Sequence, residues 1–241
     1  MLICCVSLPP ATITSVPIYD YAKANVELAK LCTQKYYPCC GKSICIGCIY
    51  SFIDFGYKGK CRFCNFDSGN KTDEENPEGI MKRVEANDAI SMCLLATGYH
   101  SGLGGLQQNH AKTMELLAEA ADLGYSKAHC SLADIYYEMG DLKKAKFHYE
   151  AAAMAGHEVA RKNLGCLEKT LGNMERAIKH WIVAASAGHY QAMGHLKTCF
   201  EKGCVSGESI DSTMTAYNNS CAEMRSKARD AYIRVMNMNY E

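Results

Sequence analysis

Cys39, Cys40, Cys45 and Cys48 fall within the decapeptide CCGKSICIGC, and Cys61 and Cys64 follow in CRFC after a gap of twelve residues. Thiolates are soft anionic ligands, and a C-x-x-C pair lets one tight turn offer two sulfurs to a single metal. Two such pairs, Cys45/Cys48 and Cys61/Cys64, are strong evidence for zinc, because four sulfurs satisfy a tetrahedral ion that needs no open position. The competing chemistry of a C-x-x-C pair is thioredoxin-like exchange. It calls for an alternating strand and helix pattern, which is lacking here.

Nine of the fifteen cysteines lie between Cys4 and Cys64. The other six (Cys93, Cys130, Cys166, Cys199, Cys204 and Cys221) are scattered, as small buried hydrophobes would be. Cys32, in the helix-like stretch YAKANVELAKLC, is expected to pack rather than ligate. No Lys or Arg precedes Lys23, and MLICCVSLPP is too short for a signal peptide. A reducing intracellular compartment, cytoplasmic or nuclear, is therefore expected, where clustered cysteines hold metal more often than disulfides.

The 26 basic and 26 acidic residues balance. A partner read through its phosphate backbone calls for a basic face, so no nucleic-acid partner is expected. No apolar run is long enough for a bilayer, so no membrane partner is expected either.

The elements that would position these groups announce themselves by repetition. AADLG ends at Gly124, AAMAG at Gly156 and ASAG at Gly188, a constant spacing of 32. In step with them, Ser91, Ala128, Ala160 and Ala192 each precede Leu95, Leu132, Leu164 and Leu196 by four residues. Tyr99, Tyr136, Glu168 and Phe200 come four residues later. Spacings of four and eight keep a set on one helical stripe, which defines the first helix of each unit. The second helix begins near Asn109, Asp141 or Asn173 and carries Ala111, Ala145 or Ala177 before the alanine pair. Small alanines let antiparallel helices approach closely, and the glycines supply the left-handed residue that ends them.

Each unit is thus a helix hairpin that cannot bury its apolar face alone, so the units stack with a long concave surface. Trp181, Tyr136, Tyr149 and the alanines are expected in the core, and His157 and His189, directly after terminating glycines, in turns. The loop HSGLGGLQQN, 100–109, has neither the preceding strand nor the following Lys-Ser/Thr of a phosphate cradle, and reads as a longer turn. No nucleophile, base and orienting residue stand at motif spacing, so no catalytic residue is assigned. A helical segment after Gly203, within Ser209–Val235, is expected to cap the array.

The period and signatures resemble the Sel-one-like repeat, a relative of the tetratricopeptide repeat, over about residues 86 to 203. The cysteine run resembles the last three ligand pairs of a RING domain, whose cross-brace joins first with third and second with fourth pairs. ICCVSLPP is similar to the stretch that follows a RING's first pair, and Cys4 fits that pair's second ligand. The partner position is Met1, so the resemblance implies a chain that begins inside the domain, or compensation by Cys5. It implies one zinc on Cys4, Cys45 and Cys48, and a second on Cys40 (or Cys39), Cys61 and Cys64, one to two ions in all. Lys42 stands where many RINGs place histidine, and Cys39 with Cys40 fills both positions.

The whole layout resembles RING-plus-repeat proteins of diatoms and related algae. The expected fold is mainly α: a helix-hairpin solenoid with a small zinc-stapled, RING-like N-terminal module. The expected organisation is a module over 1–66, an acidic linker and helix start over 67–85, repeats over 86–203 and capping helices over 204–241. Two functions follow. One is an adaptor whose repeats bind a protein or peptide. The other, implied by the RING resemblance, is a ubiquitin ligase that recruits a ubiquitin-conjugating enzyme through Ile3 and Phe63, although Arg62 and Asn65 stand where many active RINGs have proline and a cation.

Overall fold

The computed structural model describes residues 34–37, 39–45, 61, 64 and 77–223. The stretch YAKANVELAKLC, with Cys32, Cys4, Cys5 and Cys48, lies outside them, as do the Cys45 side chain and the end of the expected C-terminal cap beyond 223. The chain divides into two compact units: Tyr36–Ser43 with Gly59–His180, and Met1–Lys35 with Ile44–Lys58 and Trp181–Glu241.

Strands β1 (Gln34–Tyr37) and β2 (Lys42–Cys45) pair as a two-stranded sheet. Nine helices follow among the described residues: α1 (Pro77–Glu85), α2 (Ala89–Ser101), α3 (His110–Asp122), α4 (Ser126–Glu138), α5 (Leu142–Met154), α6 (Glu158–Thr170), α7 (Met174–Ser186), α8 (Tyr190–Glu201) and α9 (Gly207–Glu223).

The 32-residue period has a simple cause. Helices α3 to α7 are each 13 residues long and are followed by three-residue turns, so two helices and two turns make one repeat. Gly124, Gly140, Gly156, Gly172 and Gly188 close these turns at φ between 79 and 90°. At each, the glycine N–H and the next N–H reach back to the last turn of the helix. At Gly140, for example, Gly140 N–H donates to Tyr137 O at 3.0 Å and Asp141 N–H to Tyr136 O at 2.9 Å. This is the Schellman arrangement, which satisfies carbonyls that the helix leaves open. Gly140 and Gly172 carry no Ala-Ala signature, so only a 16-residue spacing reveals them.

The residue after each glycine also starts the next helix. Asp141 accepts from Lys144 N–H at 3.1 Å, while His157 and His189 accept through Nδ1 from Ala160 and Ala192 N–H at 3.2 and 3.4 Å. The turn role expected of both histidines holds. Gly102, Gly104 and Gly105, all at positive φ, carry the longer 102–109 connection inside the first hairpin, and Asn109 caps α3.

The stripe residues Ser91, Ala128, Ala160, Ala192, Leu95, Leu132, Leu164 and Leu196 are all buried, as are Trp181 and Tyr149, while Tyr136 is half-buried. In the first unit, Met92, Ala96, Leu117, Ala120, Ala121, Ala128 and Leu132 form one cluster. Cys130, Ala145, Tyr149, Ala152, Ala160, Leu164 and Leu167 form the next. The expectation for Ala111 is corrected: it is exposed, and buried Thr113, 32 residues before Ala145, occupies that register. The extra length of the preceding loop hid this offset. Of the scattered cysteines, Cys93, Cys130, Cys199 and Cys221 are buried, Cys166 is half-buried and Cys204 is exposed. In the second unit Trp181 stacks on His195 with ring centroids 4.7 Å apart, and Ser220 Oγ donates to Ser186 O at 2.6 Å.

Candidate metal centre

The turn between β1 and β2 folds back on Tyr37, whose carbonyl accepts from Cys40 N–H at 3.2 Å and Gly41 N–H at 2.8 Å. Gly41 has φ +68°, a conformation that strains any side chain. The turn presents the adjacent Cys39 and Cys40 toward Cys61 and Cys64. All four sulfurs lie within 4.8 Å of one another. Cys40 Sγ is 3.6 Å from Cys61 Sγ, and Cys64 Sγ is 3.5 Å from Cys39 Sγ.

These separations fit a metal. Tetrahedral zinc with Zn–S bonds of about 2.3 Å places its sulfurs about 3.8 Å apart. Burial pushes the Cys39 thiol well above the ordinary range, and the Cys61 and Cys64 sulfurs add to the shift. Burial likewise raises Cys40, with the Lys42 backbone hydrogen bond opposing it. The Cys39 and Cys40 thiols therefore resist ionising, and a divalent cation would reverse that balance by binding the sulfurs as thiolates. Of the sequence-predicted ligands, the structure brings together Cys39, Cys40, Cys61 and Cys64. The choice between Cys39 and Cys40 becomes a pair.

The hairpin is seated on the first helices by a polar network that the sequence did not reveal. Tyr36 is 7 % exposed, and its hydroxyl donates to Asp88 Oδ2 and lies 3.0 Å from Ser91 Oγ. Burial, then the Asp88 carboxylate, raises the Tyr36 phenol, keeping it a donor. Arg83 Nε of α1 donates to Tyr36 at 3.4 Å and to Asp88 Oδ2 at 3.3 Å. The other oxygen of Asp88 caps α2 by accepting from Ile90 N–H at 3.1 Å. The Arg83 guanidinium packs against Gly41, where an added Cβ would fall 1.5 Å from Nη2. A cation one residue from Cys40 suits a centre that carries two net negative charges when four thiolates hold a divalent metal.

Two further polar groups lie in the helices. Glu168, 1 % exposed, stands where other units carry Tyr99, Tyr136 or Phe200. Lys146 Nζ sits 2.6 Å from its Oε1, Arg176 Nη1 sits 4.0 Å from the same atom, and Asn173 Nδ2 donates to Oε2 at 2.9 Å. Burial would raise the Glu168 carboxyl, but these hydrogen bonds and the Lys146 charge hold it below the ordinary carboxylate range. His129 and His148 face each other with Nδ1 atoms 3.0 Å apart, and His148 stacks on Tyr136 at 5.5 Å.

Comparison with known proteins bears on the helices. Residues 126–155, α4 with α5, match the tetratricopeptide repeat family model. The chain is similar in structure to a Sel1 repeat protein from Oxalobacter formigenes, with 20 % identity, a TM-score of 0.53, and coverage of 72 % of this chain and 69 % of that one. It is also similar to a protective antigen of uropathogenic Escherichia coli displaying an SLR fold, with 18 % identity and a TM-score of 0.54. That likeness covers 69 % of this chain and 45 % of the antigen. No curated protein matches. The fold is a helical repeat array of the tetratricopeptide and Sel1 type. No helix among the described residues is long and apolar enough to cross a membrane.

Proposed function

We propose that this protein is a zinc-binding interaction scaffold, in which a metal-stapled N-terminal module over 1–66 precedes repeats over 86–203 that bind a protein partner. The observation that carries the metal is the four-sulfur group of Cys39, Cys40, Cys61 and Cys64, whose spacing suits tetrahedral zinc. A small cysteine-rich segment gains from a metal the stability that a short core cannot supply. The partner-binding role is supported by the repeat fold, since packed helix hairpins of this kind present surfaces suited to peptides.

A second reading, a RING-type ubiquitin ligase, draws on one specific observation. The turn at Cys39 and Cys40 joins Cys61 and Cys64, the pairing that a cross-brace requires of second and fourth ligand pairs. A second zinc would then use Cys4, Cys45 and Cys48. Such a ligase contributes no nucleophile and acts by positioning the charged conjugating enzyme. Two measurements separate the readings. Metal analysis of the purified chain should find about one zinc for the scaffold and about two for a full cross-brace. Autoubiquitination with a panel of conjugating enzymes should stay blank for the scaffold, and a metal-free, folded N-terminal segment would end both.

A further inference from the structure

Between α2, α3 and α4 lies a cleft of about 250 Å³, below the roughly 300 to 1,000 Å³ of small-molecule sites and suited to a single long side chain. Its polar lining is Thr97 and His100 of α2, buried Thr113 of α3, and Ser131, Asp134 and Glu138 of α4. No Lys or Arg lines it.

The lining is rich in acceptors. Thr97 and Thr113 spend their hydroxyl protons on the carbonyls of Cys93 and Asn109, both at 2.9 Å, so each oxygen keeps only lone pairs for a visitor. Carboxylates only accept, and Asp134 and Glu138, four residues apart on α4, face the same way. Asp134 Oδ1 is already held by Tyr149 Oη at 2.5 Å and Asn163 Nδ2 at 3.0 Å, which fixes the carboxylate rather than leaving it to swing. His100 Nδ1 is buried and has no hydrogen-bond partner among the described residues.

We propose that this cleft is an arginine subsite, which takes the guanidinium of an extended segment from a protein partner. Guanidinium offers five N–H donors in a plane and no acceptor, the complement of a lining of carboxylates and hydroxyl oxygens that carries no cation. Leu117 and Ile135, on the same cleft, supply the apolar wall for its methylene stem. The subsite rests on the interaction-scaffold reading and gives that surface a chemical preference.

The test uses the full zinc-loaded chain and NMR titration with N-acetyl-arginine-N-methylamide and its citrulline counterpart, which keeps the shape without the charge. Saturable shifts at Thr97, His100 and Ser131 with the arginine probe, at least about fivefold weaker with citrulline, are expected. Glu138→Gln, at an exposed site, should weaken arginine about three- to tenfold. Ser131→Arg, which places a cation in the cleft, should abolish it, and unchanged chemical shifts elsewhere would show that either variant is folded. Equal response to both probes, or shifts elsewhere, overturns the subsite. A parallel screen of immobilised random peptides separates the two levels: peptides that bind equally to wild type and Ser131→Arg sink the subsite alone, and no peptide binding sinks the scaffold as well.

Discussion

Tyr36 and Asp88, 52 residues apart in sequence, share a hydrogen bond that fastens the cysteine hairpin to the N-terminus of α2. Asp88 does this with one carboxylate oxygen while the other caps the helix. Tyr36→Phe keeps the ring and loses the hydroxyl, and should cost about 1 kcal/mol in urea unfolding. Asp88→Ala removes cap and anchor together and should cost about 2 to 3 kcal/mol. An Asp88→Ala cost no larger than that of Tyr36→Phe would show that the two roles are not combined.

Cobalt in place of zinc should give the intense sulfur-to-metal charge-transfer bands and visible ligand-field bands of a tetrahedral thiolate site. Cys39→Ser and Cys64→Ser should each weaken binding by at least about tenfold, because each removes one of the four sulfurs. A spectrum unchanged in either variant would place the metal elsewhere. Removing the metal with a chelator should leave the helical circular dichroism of α2 to α6 nearly intact, since their core clusters contain none of the four ligands.

Lys146→Met should destabilise by about 2 to 3 kcal/mol, because it strands the buried Glu168 carboxylate with a distant Arg176 and one amide. Adding Glu168→Met should recover most of that loss, since other units place an aromatic residue in this register. A double-mutant cycle with additive losses would count against the pairing.

Stability should fall as the pH drops from about 7 toward 5. Burial holds the His157 and His148 imidazoles below their ordinary value, with the His129 charge adding to the effect at His148. In the unfolded chain both take up protons near pH 6.5, while the folded chain resists until its lower values are reached. The stabilisation is whole above the unfolded pKa and is lost as pH falls through the folded one. His157→Asn keeps a capping acceptor without a titrating group, so it should flatten part of this slope in thermal melts. An unchanged slope would remove His157 as a source of the pH dependence.

Gly140→Ala should cost about 1 to 2 kcal/mol, since φ there is 79°. Gly194→Ala, inside α8 with nothing within 4 Å of an added Cβ, should instead gain about 0.5 to 1 kcal/mol. Thermal melts of the two variants should move in opposite directions.

The repeat was legible because burial and helix termination leave marks at fixed intervals: alanine pairs, stripe leucines and closing glycines. The same dependence on marks hid Gly140 and Gly172, which close helices ending YYEM and EKTL with no alanine pair. At the metal centre the residue types were legible and the partition was not. Adjacent Cys39 and Cys40 both aim at one group because of how Gly41 bends the turn, and no spacing states that. The Tyr36, Arg83 and Asp88 network, the His129 and His148 pair and the α2–α4 cleft left no pattern, because each joins residues from separate elements through packing alone.

The turns in which one residue ends a helix and begins the next leave the array without slack. A single residue inserted into any 13-residue helix would rotate the remainder of that helix by about 100° and pull its closing glycine out of register. Change of length is therefore tolerated best as whole hairpins or in the 102–109 connection, which is longer than the three-residue turns that follow it. A whole added block of 32 would keep every closing glycine in register, because each hairpin packs mainly on its neighbours.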